Sequence, residues 1–169
     1  MPRPFVMWPD PRLKAVAQPV DRIDGEILAI WDEMLEAMYA MPGVGLAAPQ
    51  LGIGLRLAVV DCGEEREPVR LANPRVTWAS DTMRPWQEAS PNLPGLSAEI
   101  LRPAPVRVAY LDETGQEVET EFKDLWATSV QHQIDHLDGL LFIDRLSPLK
   151  RQRLLNKRRA EMKKRKRRA

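Results

Sequence analysis

His132 and His136 stand four residues apart in the run Gln131-His-Gln-Ile-Asp-His-Leu-Asp-Gly139. On an α-helix that spacing puts both imidazoles on one face, within reach of a single metal ion. Hydrolases that use such a pair place Glu directly after the first His, where its carboxylate takes a proton from metal-bound water. In this chain that position is Gln133. A carboxamide is neutral at every working pH and cannot take the proton. The spacing supplies the geometry of a metal site and withholds its base.

The element that must carry the pair is a helix over residues 124–137, stopped at Gly139. Leu125, Ser129, His132 and His136 share one face of it, and Trp126, Val130, Ile134 and Leu137 lie nearby as core anchors. Residues 24–41 form a second amphipathic helix, with Ile27, Ile30, Trp31, Met34, Leu35 and Met38 on its apolar face. Asp21 and Asp24 are its candidate caps, and Pro42-Gly43 ends it. Strands are expected at 55–61 and 105–112, with a turn at 112–115 leading into a hairpin partner at 116–122. A weaker strand signal covers 75–79. The stretch 85–105 holds five prolines and reads as an ordered or irregular loop. A third helix begins after Ser147-Pro148, a good cap followed by a residue suited to the first turn. Leu149, Leu154, Leu155 and Met162 give it some apolar character before it dissolves into Lys163-Lys-Arg-Lys-Arg-Arg168.

A length of 169 residues fits one domain of common size. No apolar run approaches a membrane span, and the first residues lack the apolar stretch and cleavage site of a signal peptide. Cys62 is the only cysteine, so no internal disulfide forms and a reducing cytoplasm is the expected setting. A small half-buried thiol there is ordinary, and no reactive role is assigned to it. The net charge of +1 hides a strong asymmetry. Residues 150–169 carry twelve Lys and Arg and one acid, Glu161, a net of +11; residues 1–149 carry thirteen basic and twenty-three acidic side chains, a net of −10. The division is an acidic body and a basic C-terminal helix, whose charge suits a polyanionic partner.

Three segments carry a family resemblance: Gly43-Val-Gly-Leu-Ala-Ala-Pro-Gln50, Trp86-Gln-Glu-Ala-Ser-Pro-Asn-Leu-Pro-Gly95, and the histidine run. Together they resemble peptide deformylases, which remove the formyl group from the N-terminal methionine of new bacterial proteins. The resemblance implies an α+β fold with antiparallel sheets around a central helix that presents both histidines. It also implies a metal held by two His and one Cys, Glu after the first His as general base, and Gln50 with a backbone N–H stabilising the oxyanion. By the same resemblance Val44, Leu125 and Ser129 are expected to line the pocket for the substrate's methionine side chain, with Gly45 a further substrate-binding position where glycine also permits close backbone approach.

The departures fall on the chemistry. The family pattern Glu-Gly-Cys-Leu-Ser aligns with Glu88-Ala-Ser-Pro-Asn92, so Ser90 stands in place of the thiolate ligand. A hydroxyl stays protonated near neutral pH and is a poor ligand. Pro91 has no N–H to offer an oxyanion. Gln133 replaces the base. Glu88 is expected to hold Arg102 in a structural ion pair. The expectation is a deformylase-like protein without effective deformylase activity. Alternatives are a weakly active metal-dependent N-formyl-peptide hydrolase, or a ribosome- or RNA-binding module with an inert cleft. No tightly bound cofactor is expected, although His132 and His136 suit a weakly held divalent ion (Fe, Zn or Ni). Expected partners are N-terminal peptides and the ribosome near the peptide exit, contacted by the basic tail of an otherwise monomeric protein that meets no membrane.

Overall fold

The computed structural model describes residues 3–169. Helix α1 spans Gly25–Ala40 and is followed by β1 Gly45–Ala47, β2 Leu57–Val60, β3 Val69–Ala79, β4 Met83–Ala89, β5 Ser97–Pro103, β6 Val106–Leu111 and β7 Glu117–Phe122; α2 Asp124–Leu137 and α3 Pro148–Arg168 complete the chain. Five strands form one antiparallel sheet in the order β1-β2-β3-β6-β7, while β4 and β5 pair separately as a hairpin. The architecture is α+β, as the resemblance implies.

Side chains alternate across a strand, and β2 uses both faces. Leu57 and Val59 pack in one cluster with Trp31, Met34 and Met38 of α1. Ala58 and Val60 belong to a second cluster, with Ala127, Val130 and Ile134 of α2. All four residues of the strand are therefore buried. Helix α2 touches strands of both sheets, and its residues from Ala127 to Leu137 are buried without exception. Its polar side chains must then find partners inside the protein.

The helix expectations hold closely. Asp24 caps α1 by accepting from Ile27 N at 3.0 Å. Ser147 caps α3 by accepting from Lys150 N at 3.3 Å. Helix α3 does not dissolve at Lys163 but continues to Arg168. Leu154, Leu155 and Met162 pack on a cluster that includes Trp8, Leu96 and Phe142, whereas Leu149 is 62 % exposed. Arg158 is buried on the same seam, and Arg159 lies over the Trp8 ring at 5.4 Å.

Two expectations for the strands and loops also need correction. The proline-rich stretch is not an irregular loop: residues 83–89 pair in continuous register with 97–103. A two-stranded ribbon leaves each strand one unpaired edge, where a residue lacking an N–H breaks no ladder bond. Pro91 and Pro94 sit in the connection between the strands, which suits them. The weaker strand at 75–79 is the end of the longer β3, which absorbs Asn73-Pro74 at a register shift. Asn73 takes φ 51° there, and its side chain bonds both the N–H and the carbonyl of Val20.

Gly139 has φ +78°, and a Cβ on it would lie 2.4 Å from the Lys14 carbonyl oxygen. Both the left-handed backbone and the close approach require glycine. Gly139→Ala should lower stability by about 2 kcal/mol or more, since the left-handed conformation alone costs ~1–2 kcal/mol. Urea denaturation measures this, and an unchanged midpoint would contradict it.

Candidate active site

One cleft of about 520 Å³ opens between the loop after α1, the β4–β5 connection and α2. Val44, Gly45, Gln50, Ser90, Pro91, Leu125, Ser129, His132 and Gln133 all line it. His136 sits just behind, 1 % exposed. The sequence-derived set is therefore brought together in one place. A Cβ at Gly45 would come within 2.4 Å of both Gln133 Nε2 and Ser129 Oγ, so glycine is what lets β1 approach the helix. Ser129 donates to the Val44 carbonyl at 3.0 Å and fastens the same contact.

The two histidines converge. Their Nε2 atoms are 3.1 Å apart, with ring centroids at 4.8 Å. His132 Nδ1 donates to Glu88 Oε1 at 2.8 Å, which turns its Nε2 toward the cleft. Burial pushes the His136 imidazole well below its ordinary pKa, and the neighbouring His132 and Arg102 add to this, so His136 is neutral near pH 7. Its Nδ1 has no hydrogen-bond partner among the described residues. The Ser90 hydroxyl lies 3.5 Å from His136 Nε2.

A chain of charges, buried except at Arg145, supports this arrangement. Arg102 donates through Nε and Nη2 to both oxygens of Glu88, at 2.7 and 3.0 Å. Its Nη1 donates to Asp135 at 2.9 Å, and Asp135 in turn accepts from Arg145 at 2.6 and 3.0 Å. Burial alone would raise the Glu88 carboxyl, but the hydrogen bonds from His132 and Arg102 outweigh it and hold the group below the usual carboxylate range. Burial likewise disfavours the Arg102 cation, yet Glu88 and Asp135 hold its pKa above the ordinary value.

Opposite the histidines, Gln50 is locked. Its Oε1 accepts from Ala47 N at 2.8 Å, and its Nε2 donates to Asn92 Oδ1 at 2.7 Å and Ser90 Oγ at 3.2 Å. Both amide hydrogens are spent. Ser90 donates to Asn92 Oδ1 at 3.1 Å, and Asn92 donates to the Val6 carbonyl. Gln133 Oε1 is buried with no partner among the described residues. Cys62 lies outside the cleft lining, and burial pushes its thiol up to about 12. The one sulfur able to become a thiolate is thus neither present at the histidines nor ionised near neutral pH.

The Glu88–Arg102 pair is present as expected, but Asp135, Arg145 and Asn92 escaped notice in the sequence. Asp135 lies inside the histidine motif, where nothing local marks it for a buried ion pair with Arg102. Asn92 follows Ser90-Pro91 and reads as a turn residue, with no local signal that it is fully buried.

Replacing Glu88 tests this frame. A folded-state pKa below the unfolded value contributes stability above the unfolded pKa, and that stability is lost as pH falls through the folded one. Glu88→Gln should cost about 3–5 kcal/mol at pH 7, because Arg102 loses a buried partner. As pH falls below the unfolded carboxyl's ordinary value of about 4.3 and on through the lower folded-state one, the difference should narrow. Denaturation midpoints from pH 7 downward check both parts, and a pH-independent difference would contradict the assignment.

Comparison with known proteins agrees with the geometry. Residues 2–152 match the family model described as polypeptide deformylase. The chain is 45 % identical over 158 residues to the peptide deformylase of Phenylobacterium zucineum, covering 92 % of this chain and 94 % of that protein. It is 43 % identical over 158 residues to the peptide deformylase of Rhizobium meliloti, covering 92 % and 91 %. Among solved structures, a peptide deformylase from Legionella pneumophila superposes with a TM-score of 0.89 at 36 % identity, covering 98 % of each chain. With its fold, its histidine helix and nearly its whole length accounted for, the chain belongs to the polypeptide deformylase family.

Proposed function

We propose that this family member keeps a peptide-sized cleft and has lost effective deformylase chemistry. The observation that carries this reading is the state of the groups around the two Nε2 atoms. Ser90 is a neutral hydroxyl engaged with Gln50, Asn92 and His136. Gln50 has no spare N–H, Pro91 has none at all, and Gln133 is a carboxamide. Loss of a positioned base lowers rate by about 10²- to 10⁴-fold, and loss of one oxyanion donor by about 10²- to 10³-fold. These factors need not multiply, since members of one catalytic unit are not additive.

A metal is implied by the family, and its donor set decides the fit. Two ligands at roughly 2.0–2.1 Å from one tetrahedral ion lie about 3.3 Å apart, close to the observed imidazole pair. The third donor is a protonated hydroxyl. Among the described residues, no three His, Cys, Asp or Glu side chains are grouped to hold an ion. These residues do not fit a tightly held catalytic ion. A weakly held divalent ion on His132 and His136 is the second reading, favoured by their 3.1 Å separation. What the cleft retains is recognition, with apolar surface from Val44 and Leu125.

With excess Fe²⁺, Ni²⁺ or Zn²⁺ supplied, formyl-Met-Ala-Ser should not be hydrolysed above background. No single restoration should rescue it. The combined change Ser90→Cys, Pro91→Leu and Gln133→Glu should give measurable turnover, because the frame behind the histidines is present. Appreciable turnover by the parent protein would overturn the reading.

The basic helix is proposed to dock on the ribosome. Its support is electrostatic: net +11 over residues 150–169, with residues 163–168 all exposed and helical. Phosphate contacts release counterions, so binding should weaken steeply with salt. Deleting residues 163–169 removes six basic side chains and spares Arg158 and Met162, which pack against the body. The shortened protein should keep its melting temperature and lose co-sedimentation with ribosomes at low salt. Equal co-sedimentation would mean that the tail is only a solvated end.

A further inference from the structure

A second cavity, of about 480 Å³, lies on the reverse side of α2, between β3 and the β4–β5 hairpin. Its lining combines two unlike features. Val76, Met83 and Leu101 are large apolar side chains that remain 42 %, 51 % and 60 % exposed. Behind them, Ile134 continues the apolar wall toward the helix. Arg75 and Arg145 also line the cavity. They are partly exposed, with side-chain exposures of 64 % and 47 %.

The hydrogen-bond account of this cavity is unbalanced. Asp135 is the buried carboxylate on its floor, and both its oxygens are taken by Arg102 and Arg145. Arg145 spends Nε and Nη2 on Asp135, and its Nη1 has no partner among the described residues. Arg75 places Nη1 2.9 Å from Glu117 and has Nε and Nη2 unspent among the described residues. The lining therefore offers guanidinium donors beside an apolar wall, with its buried acceptor already satisfied. A ligand that complements it must bring acceptors at one end and hydrocarbon at the other. The Arg75–Glu117 pair is exposed, so exchanging its partner costs little.

We propose that this cavity binds a small amphipathic carboxylate, its hydrocarbon against Leu101, Met83 and Val76 and its carboxylate on Arg75 and Arg145. The site is separate from the cleft on the other side of α2, and the two share no lining residue. Octanoate is the probe, followed by backbone amide shifts in two-dimensional NMR, with octan-1-ol as the same chain lacking the anion. Octanoate should give saturable shifts at residues 75, 76, 101, 135 and 145. Octanol should bind at least about tenfold more weakly, a difference of ~1.4 kcal/mol. Arg75→Gln and Leu101→Glu both alter exposed side chains and leave the core alone. Each should weaken octanoate by about tenfold or more, the second by placing a like charge in the mouth. No saturable change, shifts confined to Val44 and Leu125 in the other cleft, octanol binding as well as octanoate, or either variant binding as tightly as the parent overturns the proposal.

Discussion

The structure depends on one chain of charges, running from the half-exposed Arg145 through buried Asp135, Arg102 and Glu88 to His132. It joins the β4–β5 hairpin to α2 and the turn at 142–145 that follows it, two stretches separated in sequence by β6 and β7. Two carboxylates and two guanidinium groups balance, so the interior carries no uncompensated charge along it. Such a chain is not strong support for net stability, because desolvation offsets most of the attraction. Its contribution is position. Each guanidinium fork admits only a narrow geometry, and the imidazole at the end of the chain inherits that geometry.

Under the proposed loss of deformylase chemistry, the family's frame persists. The frame is made of Gly45, Glu88, Arg102, Asp135 and the helix spacing, none of which departs from what the packing needs. The departures sit at Ser90, Pro91 and Gln133, facing the cleft. A hydroxyl for a thiol and a carboxamide for a carboxylate are nearly isosteric, so neither disturbs the surrounding packing. Gln133 is a neutral carboxamide close to Gly45, and its buried Oε1 has no partner among the described residues. Pro91 lies in the connection between two strands, where proline is at home.

The sequence made the helices legible and the second sheet illegible. Residues 24–41 announce themselves through an uninterrupted apolar period with Asp24 before it, and 124–137 through the histidine spacing and Gly139. The β4–β5 hairpin was hidden because Pro85 and Pro103 argue against a strand, and only the ribbon's free edges make them tolerable. Asn73-Pro74 hid the first half of β3 in the same way, since a turn signal was absorbed as an irregularity. In the site, motif positions were readable, because each carries a chemical function visible in its residue type. Asn92, Asp135 and Arg145 were not, because their significance lies in partners that only the tertiary fold brings near.

The central claim is that the two imidazoles are held in ligating position and lack the anionic third donor. Metal content of the full chain, purified without added metal and analysed by elemental methods, tests it most directly. Two neutral nitrogens and a hydroxyl should retain well under one transition-metal ion per chain after dialysis. About one tightly held ion per chain would contradict the account, because Ser90 would then be serving as an effective ligand.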